Sequence, residues 1–160
     1  MRKEAKTMRN LLKRISALLL CLLLVLSLPA TALAEEAQDS EEGTTLRIAR
    51  RQQFLDFAEN CRLDSYSRNL SVVLLTDIDL AGVDFSGIPI FCGNFDGNGH
   101  TVSGLSITRD GSNVGLFRYV GDSALIQNLT VSGEVTPDGS RSAVGGIAGH
   151  NAGKIQNCFF

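Results

Sequence analysis

The sequence predicts an all-β chain, a parallel β-helix closed at its N-terminal end by an α-helix. Three observations predict it. Short segments recur with one shared slip of phase: Val102-Ser-Gly-Leu-Ser-Ile107, Ile126-Gln-Asn-Leu-Thr-Val131 and Ile155-Gln-Asn-Cys-Phe-Phe160. All 16 glycines lie beyond residue 34, about 13% of that stretch where roughly 7% is usual. One amphipathic helical pattern stands just ahead of the first strand pattern.

Residues 1–34 read as a secretory signal. Arg2, Lys3, Lys6, Arg9, Lys13 and Arg14 precede an apolar run from Ile15 to Leu28, and Pro29 and Ala32-Leu-Ala34 follow. A charged start, a short apolar core and a small-x-small end are the export layout. The run is 14 residues, short of the ~20 a spanning helix needs. Three leucines precede Cys21, the wrong neighbours for lipid attachment there. The chain beyond Ala34 holds nine basic and sixteen acidic residues, a net of −7. No basic face can form on it to meet phosphates, so nucleic acid is excluded as a partner.

Residues 35–45 form an acidic, aperiodic leader, expected to be disordered. The segment 46–62 is expected to be the cap helix. Phe54, Phe57, Ala58 and Cys61 fall at i, i+3, i+4 and i+7, one stripe of an amphipathic helix. Leu70 to Leu80 then reads as one strand. Ile78 and Leu80 face one way and Asp77 and Asp79 the other, while Val72-Val-Leu-Leu75 is apolar on both faces and expected to be covered on both.

Residues 63–160 hold the repeats. In each of the three segments apolar residues fall at i, i+3 and i+5, and the third position is Gly104, Asn128 or Asn157. A regular strand keeps its apolar face at even steps. The slip means a corner, and Gly and Asn accept the left-handed backbone that a corner needs. Val114-Gly-Leu-Phe117 and Val144-Gly-Gly-Ile147 keep step with this motif. Units of 24 to 30 residues that cannot bury an apolar face alone must stack into a solenoid. A solenoid end exposes strand edges, which gives the helix its role as a cap. Phe159-Phe160 fall at the last position of a repeat motif, so the C-terminal end reads as truncated, a fragment of a longer protein.

Thr76-Asp-Ile-Asp-Leu80, Phe95-Asp-Gly-Asn-Gly-His-Thr-Val-Ser-Gly-Leu105, Val114-Gly-Leu-Phe117, Val144-Gly-Gly-Ile-Ala-Gly149 and Ile155-Gln-Asn-Cys158 occur in this order. That succession resembles bacterial surface and secreted proteins with GLUG-motif repeats, over residues 46–160. The GLUG-like positions are 114–117 and 144–149, with Arg118 where the pattern has glycine. The resemblance implies a right-handed β-helix-like repeat on an exported protein. Similar segments occur in IgA-specific metallo-endopeptidases. The resemblance implies no activity, because such repeats sit beside many different domains.

Candidates for chemistry are few. Asp77 and Asp79 share one strand face about 7 Å apart and read as a solvated outer face. Asp96-Gly-Asn-Gly-His100 spaces oxygen donors like the start of a calcium loop, but Thr101 and Ile107 stand where glycine and an acid are wanted. It reads as a tight turn. His100 and His150 lie in separate repeats. Cys158 replaces Leu105 and Leu129 of the motif and reads as a core thiol. Cys61, Cys92 and Cys158 follow the signal, either as three free thiols or with a Cys61–Cys92 bridge. Asn69 and Asn128 match the N-glycosylation pattern, and Asn128 is wanted at its corner.

No catalytic, cofactor-binding or metal-binding residue is assigned. The expectation is a non-catalytic secreted or wall-associated scaffold, binding host or matrix glycans or proteins and leaving the membrane after signal cleavage. The alternative is the N-terminal repeat segment of an exported metallo-endopeptidase or polysaccharide-degrading enzyme. The exported protein is expected to begin at Glu35. Mass analysis of its N-terminal peptide checks this, and a retained Met1 overturns it.

Overall fold

A computed structural model describes residues 43–109, 112–137 and 143–160. The expected signal at 1–34 and most of the acidic leader lie outside the described residues. All the described residues belong to one compact unit.

The chain runs β1 (Thr45–Ile48), α1 (Arg51–Asn60), β2 (Ser71–Leu74), β3 (Ile78–Asp79), β4 (Ile88–Phe91), β5 (Asn94–Asp96), β6 (Thr101–Arg109), β7 (Phe117–Val120), β8 (Leu125–Pro137), β9 (Ala148–Asn151) and β10 (Lys154–Phe159). Every pairing between these strands is parallel. They stack as three walls. The first is β1-β2-β5-β8-β10, the second β3-β6-β8 and the third β4-β7-β9. β8 is long enough to turn the corner and serve two walls. Its start pairs with β5 and β10, and its end with β6. The architecture is a parallel β-solenoid of about four turns, with one short helix near its start.

The segment expected as cap helix opens instead with β1, the first rung of the first wall. Helix α1 follows after two residues. It carries no side-chain cap at Arg50. The Gln53 side chain reaches back to accept from the Ala49 N–H at 2.9 Å, satisfying a donor just ahead of the helix. The predicted stripe is the buried one: Phe54, Phe57, Ala58 and Cys61 are at most 5% exposed. Phe57 lies 5.9 Å from Phe91 and 6.0 Å from Phe95, ring centre to ring centre. Phe117 continues the column from the next coil, 5.5 Å from Phe91 and 5.3 Å from Phe95. The helix therefore closes the solenoid by inserting aromatic rings where another coil would otherwise supply core.

The strand expected at Leu70–Leu80 is two strands with a bend between them. Val72 and Leu74 face the core, but Leu75 is 45% exposed. Among the described residues nothing covers this outer face, because a solenoid wall packs on the core from one side only. Asp77 and Asp79 point outward and Ile78 and Leu80 inward, as the alternation predicted.

The repeat register differs from the sequence reading in one place. Ile126 and Ile155 stack on each other, with Asn128 and Asn157 at the same corner, φ 53° and 51°. The residue beneath Ile126 is Phe95, not Val102. Val102 pairs with Val131 on the next wall. Gly104 does adopt the left-handed backbone, φ 67°, but it sits at a slip of register between Val102 and Leu105. A bulge and a corner both displace the apolar phase by one residue, so the two devices look alike in sequence. In the coil of β5 the corner is made by Gly97-Asn98-Gly99-His100, four residues where the coil above uses Asn128 and Leu129. Gly97 is required there: a Cβ would lie 2.5 Å from the Asn128 carbonyl oxygen.

Two substitutions test this account. Phe57→Ala should cost about 3–5 kcal/mol in urea unfolding, the usual range for a buried ring. Asn128→Val should cost about 2–4 kcal/mol, since a β-branched residue is strained at positive φ and the side-chain bonds go too. Asn128→Gly, which accepts the backbone, should cost less than half as much.

Candidate functional site

The sequence motif Ile-Gln-Asn places two amides next to each other at one corner of successive coils. In the structure they form two ladders on the outer face of the first wall. Gln127 Nε2 donates to Asp96 Oδ2 at 3.1 Å, and Gln156 Nε2 to Gln127 Oε1 at 2.9 Å. Asn128 Nδ2 donates to Asp96 Oδ1 at 3.0 Å, and Asn157 Nδ2 to Asn128 Oδ1 at 2.7 Å. Both ladders stand on the one carboxylate. Asp96 Oδ1 also accepts from the Asn98 N–H at 2.7 Å, closing the Asp-Gly-Asn turn. Burial pushes the Asp96 carboxyl up, but the bonds from Asn128, the Asn98 N–H and Gln127 outweigh it and hold it below its ordinary value.

The Asp77–Asp79 pair does not act together. Asp77 Oδ1 accepts from the Thr101 N–H at 2.9 Å and lies 3.1 Å from His100 Nδ1. The Thr101 N–H, with His100 second, holds the Asp77 carboxyl below its ordinary value. Asp79 Oδ1 caps the Ala81 N–H at 2.9 Å. Asp77 ties its bend to the segment at Thr101, whereas Asp79 closes its own bend locally. The Asp96–His100 segment is the turn the sequence suggested, with its carboxylate committed to the ladders. Among the described residues no group of three or more His, Cys, Asp or Glu side chains is placed to hold a metal ion.

His100 lies in the corner before β6, whereas His150 lies on β9 in the third wall. His150 stacks flat on Tyr119, with ring centres 4.8 Å apart and planes 3° apart, because β7 and β9 pair these two positions directly. Sequence reading missed this pair. The sequence motifs repeat at 30 residues, Val114 to Val144, whereas the paired strands run at 31, Phe117 to Ala148 and Tyr119 to His150, so the motif spacing did not point to this pair.

Cys61, Cys92 and Cys158 are free thiols. Cys61 is fully buried, and burial with the neighbouring Cys92 pushes its thiol up to about 12. Cys92 is half-buried and lines a groove of about 510 Å3 with Arg68 and Ser123. Cys158 is also half-buried, its thiol pushed up by burial. A second groove of about 610 Å3 lies between α1 and residues 83–87, lined by Asp56, Glu59, Asp84, Phe85 and Pro89 among others. Glu59 is paired with Arg62 at 2.8 Å. Among the described residues no helix is long and apolar enough to cross a membrane.

Comparison with known proteins finds partial relatives. A stretch of 69 residues, 42% of the chain, is 39% identical to a Gly-rich membrane protein of Evansella cellulosilytica, of which it covers 8%. A stretch of the same length is 44% identical to Halomucin of Haloquadratum walsbyi, of which it covers 1%. The chain thus matches under a tenth of the length of these relatives. No family model matches the chain, so the GLUG assignment has no support from that comparison. No solved structure matches it.

Two measurements follow. Asp96 and Asp77 have lowered carboxyl values in the fold, so the stability they contribute is present above the ordinary value of 3.8 and is lost as pH falls through the lower folded values. Asp96→Asn should lower the thermal midpoint at pH 7 and flatten its fall below about pH 4, as read by circular dichroism. At pH 8, iodoacetamide should label Cys92 first and leave Cys61 unlabelled until the chain unfolds, as read by peptide mass.

Proposed function

We propose that the chain is an exported, surface-associated scaffold module that binds extracellular partners, glycans or proteins, and carries out no catalysis. The observation that carries this reading is the commitment of its outward polar groups to one another. Among the described residues, Asp77, Asp96 and the Gln and Asn ladders spend their polar groups on bonds between segments and coils, and no three or more His, Cys, Asp or Glu side chains gather to hold a metal ion. A stacked solenoid of this kind offers a stiff, regularly spaced surface, well suited to presentation and binding.

The export-like N-terminus supports placement outside the cell. The partial relatives support the same placement: one is named a membrane protein, and both are many times longer than the matched segment. A repeat segment found within such long chains fits a structural or adhesive module, and finer assignment to GLUG-repeat proteins rests on the motif order alone.

Fractionation of the native host, with an antibody to residues 43–160, tests location. The chain should appear in the wall or culture fractions, and confinement to the cytoplasm sinks the reading. Binding of the full exported chain to glycan and matrix-protein arrays tests function. Saturable retention on at least one class is expected, and retention on none overturns the binding role.

A further inference from the structure

The cap helix ends in one cysteine, and the coil that follows it ends in another. Cys61 closes α1, its N–H donating to the Phe57 carbonyl, and is fully buried. Cys92 follows the last residue of β4. Between them run β2, β3 and β4, one strand from each wall. The two cysteines therefore bracket one whole turn of the solenoid.

Packing brings the ends of that turn together. One helical turn before Cys61, Phe57 meets Phe91, the neighbour of Cys92, with ring centres 5.9 Å apart. Beyond Cys61, the fully buried Ser67 accepts at Oγ from the Cys92 N–H at 2.9 Å. The corner after β4 is thus fastened to the chain on both sides of Cys61. The Cys92 thiol stands near enough to raise that of Cys61, and the structure holds both reduced.

The two thiols differ in access. Cys92 lines the groove shared with Arg68 and Ser123, and Gly121 in the coil above leaves room for its sulfur. A Cβ on Gly121 would lie 2.7 Å from Cys92 Sγ. Cys61 has no exposed surface. A reagent from solution meets Cys92, and a bond to Cys61 must come from within the fold. Cys158 is out of this arrangement. It lies at the corner of Asn128 and Asn157, between the first and second walls, whereas Cys92 lies between the third and the first.

We propose that Cys61 and Cys92 form a thiol–disulfide site, at which a low-molecular-weight disulfide drives an internal bridge that staples the cap helix to the coil it covers and closes that coil into a covalent ring. The exchange has two steps. The Cys92 thiolate attacks one sulfur of the oxidant, making a mixed disulfide, and the expelled thiolate takes up the proton that Cys92 lost. Cys61 then loses its proton and attacks the Cys92 sulfur, and the second thiolate leaves with that proton. The protein gives up two electrons and the oxidant gains them. Burial holds the Cys61 thiol at about 12, so the second step is the slower one. The bridge constrains the unfolded chain over roughly thirty residues and should raise the thermal midpoint by roughly 10 °C. The proposal concerns the packing of the cap and stands apart from the binding role.

The test uses the exported chain, reduced and then held in oxidised glutathione. Peptide mass mapping after alkylation with N-ethylmaleimide should find Cys61 joined to Cys92 and Cys158 alkylated. Circular dichroism should show the higher midpoint, lost again on reduction. Cys61→Ala should stop at the glutathione adduct on Cys92, and Cys92→Ala should give neither adduct nor bridge. The mapping of the unsubstituted chain decides the matter even where a variant fails to fold. A glutathione adduct that persists on Cys92 of the unsubstituted chain, a bridge to Cys158, bridging only in urea, or a bridged form that melts no higher than the reduced one would each overturn the proposal.

Discussion

Coil-on-coil registration is the constraint on which the rest of this structure depends. Parallel strands pair only if each coil returns to the same height after the same set of bends. The bends must therefore fall at matching positions, and each must be made by residues that accept a left-handed backbone. Asn98, Asn128 and Asn157 are such residues, with φ between 51° and 53°. Asparagine serves here better than glycine because its side chain has a second task. Asn98 Nδ2 donates to the Leu74 carbonyl at 3.2 Å, and the other two join the ladder. One residue thus makes the corner and ties it to the coil beneath.

The N-terminal end solves a different problem. A coil has a neighbour above and below, and the first one lacks the lower neighbour. Here α1 substitutes for it beneath the wall of β4, while β1 keeps the first wall extended by one rung. The Phe54–Phe57 pair reaches Phe85, Phe91 and Phe95, so the column of rings begins in the helix and passes into the coils. Ring packing tolerates the change from helix to strand because it needs volume and edge-to-face contact, not backbone pairing.

Polar chemistry on the outer walls is spent on cohesion. Asp77 binds the Thr101 N–H, Asp79 the Ala81 N–H and Asp96 the two ladders. Groups that look like candidate catalytic pairs in sequence are bend-fasteners in space. The carboxylate at the foot of the ladders also gives the solenoid a chemical polarity that its backbone, with similar parallel pairing at every level, does not express as clearly.

By itself the sequence determined the fold class, the face of the cap helix and three of the left-handed positions, Gly104, Asn128 and Asn157. Each is a local property: an apolar stripe at i, i+3, i+4 and i+7 admits one buried face, and a phase slip at Gly or Asn admits few backbones. It also determined that the Asp96–His100 segment turns. Only the tertiary structure decided which slip is a corner and which is a bulge, because Gly104 and Asn128 shift the apolar phase alike and differ only in what lies across the coil from them. It alone decided that Leu70–Leu80 breaks in two, since the bend at Leu75 is imposed by the neighbouring walls. The ladders, the Tyr119–His150 stack and the aromatic column likewise join residues far apart in sequence, up to 38 positions for Phe57 and Phe95. Their partners are set by register between coils, which no local pattern encodes.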